Sequence, residues 1–302
     1  MKKVLSIMIT LLFITNINIL SQNRGGMFHK FGSSVSTANH ITESQYCPEF
    51  QAVYNAFNTK PHADTAAFMN AMVYSLDTAG LLDKMDLLYI LANNNSYNAN
   101  INWINPSTFT LTDPETTNPQ FFRYQGYRGN GSSMYLSTNY TPYNHETKVS
   151  TNSVTLGVWM LDWGSNRNVA AGTNDSYSVR TEIQVYGSGT YPRGFANSAG
   201  NPTNPSTAIG AEAGLHIITR RSSSDNEYYC NNVSIATSTA ASSTNSSQND
   251  ICILAKSLYN GPGAEAFFSG RLSIVFYMAG ITDNEASVLF TIFDTYMTAI
   301  GL

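Results

Sequence analysis

The chain has 302 residues, with 16 Lys and Arg against 20 Asp and Glu, and only 12% of it is charged while 42% is hydrophobic. That balance excludes a disordered chain, which combines low hydrophobicity with high net charge. With a formal charge of −4 and no Lys/Arg cluster, the sequence also lacks the footprint that phosphate binding requires, so no nucleic-acid partner is expected.

Lys2 and Lys3 precede an apolar run from Val4 to Leu20, so residues 1–21 read as a secretory signal peptide or N-terminal apolar segment. Residues 22–46 read as a linker. The segment 47–92 is patterned as helices. Pro48-Glu49 opens a first one with Phe50, Val53, Tyr54 and Phe57 at helical spacing, ended by Asn58 to Pro61. A second over about 64–78 carries Phe68, Met72, Val73 and Leu76 and stops at Gly80. A third is predicted over 81–92, where Leu81, Leu82, Met85, Leu88, Tyr89 and Ala92 form a stripe opposite Asp83, Lys84 and Asp86.

After Asn93 the period changes from 3.6 to 2, and residues 93–281 read as a β-sandwich. Strands are predicted near 119–124, 132–138, 152–161, 178–186, 214–220, 226–230, 233–238, 251–256 and 270–279. Asn231-Asn232 suits the positive φ of a two-residue hairpin turn. Residues 187–205 and the Ser/Thr-rich stretch 237–249 are predicted to be long exposed loops, where binding commonly resides. The last element, 282–302, is a helix that starts with a Thr282/Glu285 capping box and buries Val288, Leu289, Ile292, Phe293, Tyr296, Met297 and Ile300 against the sandwich.

Several stretches in this order resemble a known group: Leu81 to Asp86, Ile101-Asn102-Trp103-Ile104-Asn105-Pro106, Gly126-Tyr127-Arg128-Gly129-Asn130-Gly131 running on to Leu136, Ser153 to Trp159, and Gly280-Ile281-Thr282-Asp283 on to Gly301. Together they are similar to bacteriophage virion- or tail-associated proteins of the lectin-like kind, with concanavalin A or laminin-G type jelly rolls. The resemblance covers about residues 48–302. It implies a mainly β, concanavalin A-like antiparallel jelly-roll sandwich with N-terminal helices and a C-terminal helix. It further implies a virion or extracellular setting and a bacterial surface glycan or receptor as partner, with homo-oligomers or other virion proteins as further contacts. The apparent signal peptide departs from a virion part and points toward a secreted or prophage-derived relative.

Concanavalin-like glucanases resemble one another in a strand with Glu-x-Asp-x-Glu. The nearest stretch here, Glu182-Ile183-Gln184-Val185-Tyr186, keeps only the first carboxylate, and hydrolysis of a glycosidic bond needs two. Asp162, Asp175, Glu212 and Glu227 remain as carboxylates that could pair across the sheet, so a glycoside hydrolase is the alternative to a non-enzymatic module. No nucleophile elbow, phosphate loop or metal-ligand pair is present, and no cofactor is expected. A calcium site would have to draw on Asp162, Asn174 and Asp175. His216 reads as a hydrogen-bonded sheet residue.

Aromatic residues give the sharper expectation. In the strand 153–161, Val154, Leu156, Val158 and Met160 share the core parity, which turns Trp159 to the other face. Either the bracketing helices cover it, or it stacks on a sugar ring with help from Trp163, Tyr186, Tyr191, Arg193 and Glu182. Of the three cysteines, Cys230 and Cys252 could close a disulfide while Cys47 stays a thiol.

Overall fold

The computed structural model describes residues 43–114, 116, 118–164, 168–176, 179–185, 192–198, 203, 212–259, 261 and 263–302. The segments 1–21 and 22–42 lie outside these residues. Two helices come first, α1 (Pro48–Ala56) and α2 (Ala63–Thr78). Gly80 ends the second in the left-handed region at φ +68°, the conformation glycine adopts without strain. Fifteen strands follow among the described residues: β1 (Met85–Ile90), β2 (Gln120–Phe122), β3 (Gly126–Arg128), β4 (Leu136–Ser137), β5 (Val154–Asp162), β6 (Val169–Ser176), β7 (Val179–Gln184), β8 (Arg193–Phe195), β9 (Gly214–Ser222), β10 (Asp225–Cys230), β11 (Val233–Ser238), β12 (Cys252–Ile253), β13 (Lys256–Ser257), β14 (Ala264–Glu265) and β15 (Arg271–Met278). The chain closes with helix α3 (Asp283–Ala299).

The strands form two sheets. Sheet A runs β11-β10-β9-β5-β15-β3-β2, with β1 also paired to β15. Sheet B runs β14-β13-β6-β12-β4, with β7 bridging β6 to β8. The space between the sheets holds one core, in which Val154, Leu156, Val158 and Met160 of β5 meet Ile183, Val185, Ala196 and Ile253 from the sheet B side. A second core lies on the opposite face of sheet A, where Phe50, Met69, Met72, Leu289 and Phe293 of the three helices cover Trp159, Ile217, Ile274, Phe276 and Met278. Helices from both ends of the chain therefore cap one sheet. The architecture is mainly β, a two-sheet sandwich with a helical cover.

Most predicted strands occur with ends displaced by a few residues, and the Asn231-Asn232 turn has both residues at positive φ, 45° and 68°. The capping box at Thr282 and Glu285 is present in both directions. The third predicted helix is not: residues 82–84 make a single 3-10 turn, and Met85–Ile90 is a strand paired antiparallel to β15. Its reason is two-sided burial. Met85, Leu88 and Ile90 enter the helix-side core while Leu87 and Tyr89 enter the inter-sheet core, and a run apolar on both faces has no period that separates strand from helix. Strand β6 was missed because Ala170 to Ser176 is small and polar. The stretch 237–249 is also a correction, since Ser243, Ser246 and Ser247 are buried and the Ser247 hydroxyl lies 2.7 Å from that of Thr173. Of the other predicted loop, residues 193–195 form β8.

Two buried charges fasten the layers. Asp86 accepts hydrogen bonds from the Tyr140 hydroxyl at 2.9 Å, from the Thr147 hydroxyl and from the backbone amides of Thr147 and Lys148 at 3.1 Å each. Arg220, wholly buried, donates to the carbonyls of Ala196 (2.6 Å), Ser222 (3.1 Å), Ser223 (3.0 Å) and Ala240 (3.1 Å) and to the Ser198 hydroxyl (3.1 Å). Burial pulls its pKa down to about 10, which still leaves it charged near neutrality. One side chain thus ties β9 of sheet A to the segment that follows β8 of sheet B.

The disulfide expectation fails. All three cysteines are free, because Cys230 ends β10 in sheet A and Cys252 lies in β12 of sheet B.

Helix α3 belongs to the sandwich's own fold. Leu289 and Phe293 are both fully buried in the helix-side core, and Arg221 of β9 reaches Asp283 at the helix start at 2.5 Å. Leu289→Asp or Phe293→Asp is expected to cost about 3–5 kcal/mol, through lost apolar burial and an unpaired carboxylate, read as a lowered midpoint in denaturant unfolding.

Candidate functional site

The helical cover decides the fate of the aromatic candidates. Trp159 is turned away from the inter-sheet core, as its parity requires, but it lies under α3, stacked on Phe290 with centroids 6.2 Å apart and planes at 14°. It is only 7% exposed, so its place is in packing, and a sugar platform centred on it is corrected. Trp163 is buried too, edge-on to His216 at 5.4 Å. Tyr186 and Tyr191 lie outside the described residues.

The remaining two predicted residues, Glu182 and Arg193, come together on the outer face of sheet B. Strand alternation puts Ile183 into the inter-sheet core and hence Arg180, Glu182 and Gln184 on the other side. Register adds the rest: Glu182 pairs with Phe195 and Gln184 with Arg193 across to β8, while Glu182 pairs with Gly172 across to β6. Lys256 of β13 is registered against the same Gly172, and Glu265 of β14 against Lys256. A row of alternate residues from four strands thereby gathers three cations and two carboxylates.

Glu182 is the centre of this row and is wholly buried. Its Oε1 lies 3.7 Å from the Arg180 guanidinium and its Oε2 3.5 Å from Lys256 Nζ, which are ion-pair distances longer than a well-formed hydrogen bond. Gln184 donates its amide to Oε1 of Glu182, and Arg193 Nε donates to the Gln184 carbonyl oxygen. Lys256 also reaches Glu265 at 3.4 Å, so one ammonium is shared between two carboxylates. The Arg180 guanidinium stacks over Phe195, 3.9 Å from the ring centroid. Gly172 makes room for the arrangement, since a Cβ there would stand 2.4 Å from that of Glu182. Burial pushes the Glu182 carboxyl upward in pKa, and the charges of Lys256 and Arg180 oppose that rise.

Glu265 and Lys256 were not anticipated from sequence. The sequence pattern offers a second carboxylate only on the Glu182 strand or at Asp162, Asp175, Glu212 and Glu227, whereas the neighbour, Glu265, lies 83 residues downstream and is brought close through the sheet. Only the pairing of short strands could have revealed it. The other carboxylates serve elsewhere. Asp162 pairs with Arg128 at 2.5 Å, and Glu227 with Arg221 at 2.5 Å. No group of three or more metal-ligating side chains occurs among the described residues, and Asp162 is held by Arg128 rather than grouped with Asn174.

A second cluster, Cys230, His216 and Glu212, has the look of a thiol site without its electrostatics. Cys230 Sγ lies 3.7 Å from His216 Nε2. The ring nitrogen Nε2 meets the Glu212 carbonyl oxygen at 3.0 Å and so carries the proton, leaving Nδ1 to accept from the Tyr228 hydroxyl at 3.1 Å. Burial lowers His216 to about 4 and raises Cys230 to about 12. Both groups are neutral near pH 7, the reverse of an activated thiolate–imidazolium pair.

No family model matches the sequence, and no curated protein matches it. Among solved structures, the chain is similar to a Trypanosoma rangeli sialidase in complex with 2-keto-3-deoxy-D-glycero-D-galacto-2,3-difluoro-nononic acid, with a TM-score of 0.50 at 10% identity over 76% of this chain and 40% of that one. It is also similar to a native heptameric SAP-like pentraxin from Limulus polyphemus (TM-score 0.39, 14% identity, 59% of this chain and 79% of that one). A third similar structure is a botulinum neurotoxin type C whose cell entry depends on two ganglioside molecules (TM-score 0.48, 12% identity, 71% and 52%). The chain spans about 40% of the length of the sialidase. At these identities the likeness concerns the fold alone.

The buried histidine makes stability acid-sensitive. Its folded pKa is about 4 against an ordinary value near 6.5, so the unfolded chain takes up the proton first and stability falls as pH drops from about 6.5 to 4. The full loss from this one group is about 3 kcal/mol. Chemical denaturation at pH 7 and pH 4 should show a smaller difference for His216→Gln than for the parent chain.

Proposed function

We propose that this protein is a lectin-like recognition module of jelly-roll type, which binds a carbohydrate on the outer face of sheet B around Glu182. The observation that carries the reading is the contrast among three buried charges. Asp86 and Arg220 are satisfied chiefly by backbone groups and so hold the architecture. Glu182 is surrounded by side chains, Arg180, Gln184 and Lys256, which can exchange partners when a ligand arrives. Such a set of donors and acceptors suits the hydroxyls of a sugar. The other sheet is covered by helices on one face and by the inter-sheet core on the other.

The sequence resemblance to phage virion and tail proteins and the apolar N-terminal run support a particle-borne or exported setting. Several copies on one particle would turn weak single sites into firm adhesion. Glycan-array binding by the full chain tests the reading. Binding is expected, with Glu182→Gln reducing it at least about tenfold, as loss of a charge-assisted hydrogen bond does. An array without signal overturns it.

One observation favours a second reading. Sharing Lys256 places the carboxylates of Glu182 and Glu265 within about 7 Å of each other, a separation compatible with glycoside hydrolysis. Our reading expects no release of reducing sugar from any bound glycan. Release that both Glu182→Gln and Glu265→Gln abolish would replace binding by hydrolysis.

A further inference from the structure

At the end of sheet A lies another group of charges, separate from the outer face of sheet B. Three residues along from the Trp159–Ile274 pair, Asp162 of β5 is registered against Arg271 of β15, and Arg271 against Arg128 of β3. One rung thus sets two arginines directly opposite each other with one carboxylate beside them. Like charges opposed across a sheet repel, and a single carboxylate cannot balance two cations. The β2–β3 hairpin adds no acid: residues 120–131 contain Arg123 and Arg128 but no Asp or Glu. In a chain of net charge −4 this is a local surplus of positive charge.

The two arginines are held differently. Asp162 Oδ2 accepts from Arg128 Nη2 at 2.5 Å, whereas Arg271 Nε stands 4.0 Å from Asp162 Oδ2, beyond hydrogen-bond distance. Arg271 is fixed from its other side: Nη1 donates to Gln125 Oε1, and the guanidinium lies 4.1 Å from the Phe122 ring centroid. The Ser273 hydroxyl donates to the Gln125 carbonyl oxygen at 2.7 Å and holds that residue in place. The Nε atoms of both arginines are buried without a hydrogen-bond partner, an uncommon state in a native protein. Burial and the charge of Arg128 both push the Arg271 pKa down, and Asp162 opposes them. The rung is nearly closed at Arg271, whose side chain is 16% exposed, and open at Arg128 and Asp162, at 38% and 34%.

We propose that this rung binds an oxyanion group of a small ligand, a carboxylate, sulfate or phosphate, gripped by Arg128 from the open side while Arg271, held by Gln125 and Phe122, supplies the second positive charge. A guanidinium offers paired N–H groups to the oxygens of such an anion. Asp162 occupies Arg128 until the ligand arrives and therefore competes with it.

The test is calorimetric titration of the full chain with sodium malonate, sulfate and phosphate at one ionic strength. Saturable binding of at least one of them, with a Kd at or below about 1 mM, is expected, and the anion bound best identifies the acid. Arg128→Gln should weaken that binding at least about tenfold, the worth of one charge-assisted contact. Asp162→Asn should tighten it by a similar factor, because the competing carboxylate is gone; an arginine pair kept only for structure gains nothing from that change. If Arg128→Gln fails to fold, Arg128→Lys takes its place, since it keeps the charge, loses the paired N–H fork and should also weaken binding. Absence of saturable binding for all three anions overturns the inference. So does binding that the folded Arg128 variant does not weaken, or that Asp162→Asn does not tighten. None of these results bears on the glycan array, which tests the carbohydrate reading by itself.

Discussion

The central strands of sheet A are buried on both faces, and the rest of the molecule is arranged around that constraint. A strand covered on one side can alternate apolar and polar residues, but β5 and β15 are apolar at nearly every position because one parity meets sheet B and the other meets the helices. The crowding shows at Gly157, where a Cβ would stand 2.0 Å from the Phe276 ring. The same constraint pulls residues 85–90 into the sheet as a strand, keeps Trp159 beneath Phe290, and gives the apolar faces of α1, α2 and α3 their only large partner.

A consequence follows for function. With the central strands of sheet A occupied on both faces, the polar side chains gathered on the outer face of sheet B stand apart among the described residues. There the row from β8 to β14 carries charged and amide side chains instead of an apolar stripe. In a chain with so few charges, five of them in one row are a large local investment, and a wholly buried Glu182 is stable only because Lys256 and Arg180 stand beside it. The described residues thus divide by layer: apolar packing on the helix side, an apolar core between the sheets, and a polar row on the outer face of sheet B.

The buried charges divide along the same line. Asp86 gathers the backbone of residues 147–148, and Arg220 gathers carbonyls from three separate segments. Each replaces hydrogen bonds that irregular backbone would otherwise leave unmade. The low overall charge is what makes the positions of the few buried charges informative.

The sequence by itself determined the elements whose signals are local: the helices at 48–56 and 63–78, the capping box at Thr282, the Asn231-Asn232 turn and the parity of β5. Each rests on contacts within a few residues, so the pattern and its cause lie side by side in the chain. Glu182 was legible as the one carboxylate kept of a Glu-x-Asp-x-Glu strand, and Arg193 as a residue of the loop that follows it. What surrounds a face was not legible. Whether Trp159 is open or covered depends on a helix more than 100 residues away in sequence, and Glu182 meets Lys256, and through it Glu265, only because strands of two residues pair across the sheet. Cover and cross-strand neighbours are properties of tertiary structure, since burial of a face is decided by what packs against it and not by the strand that presents it.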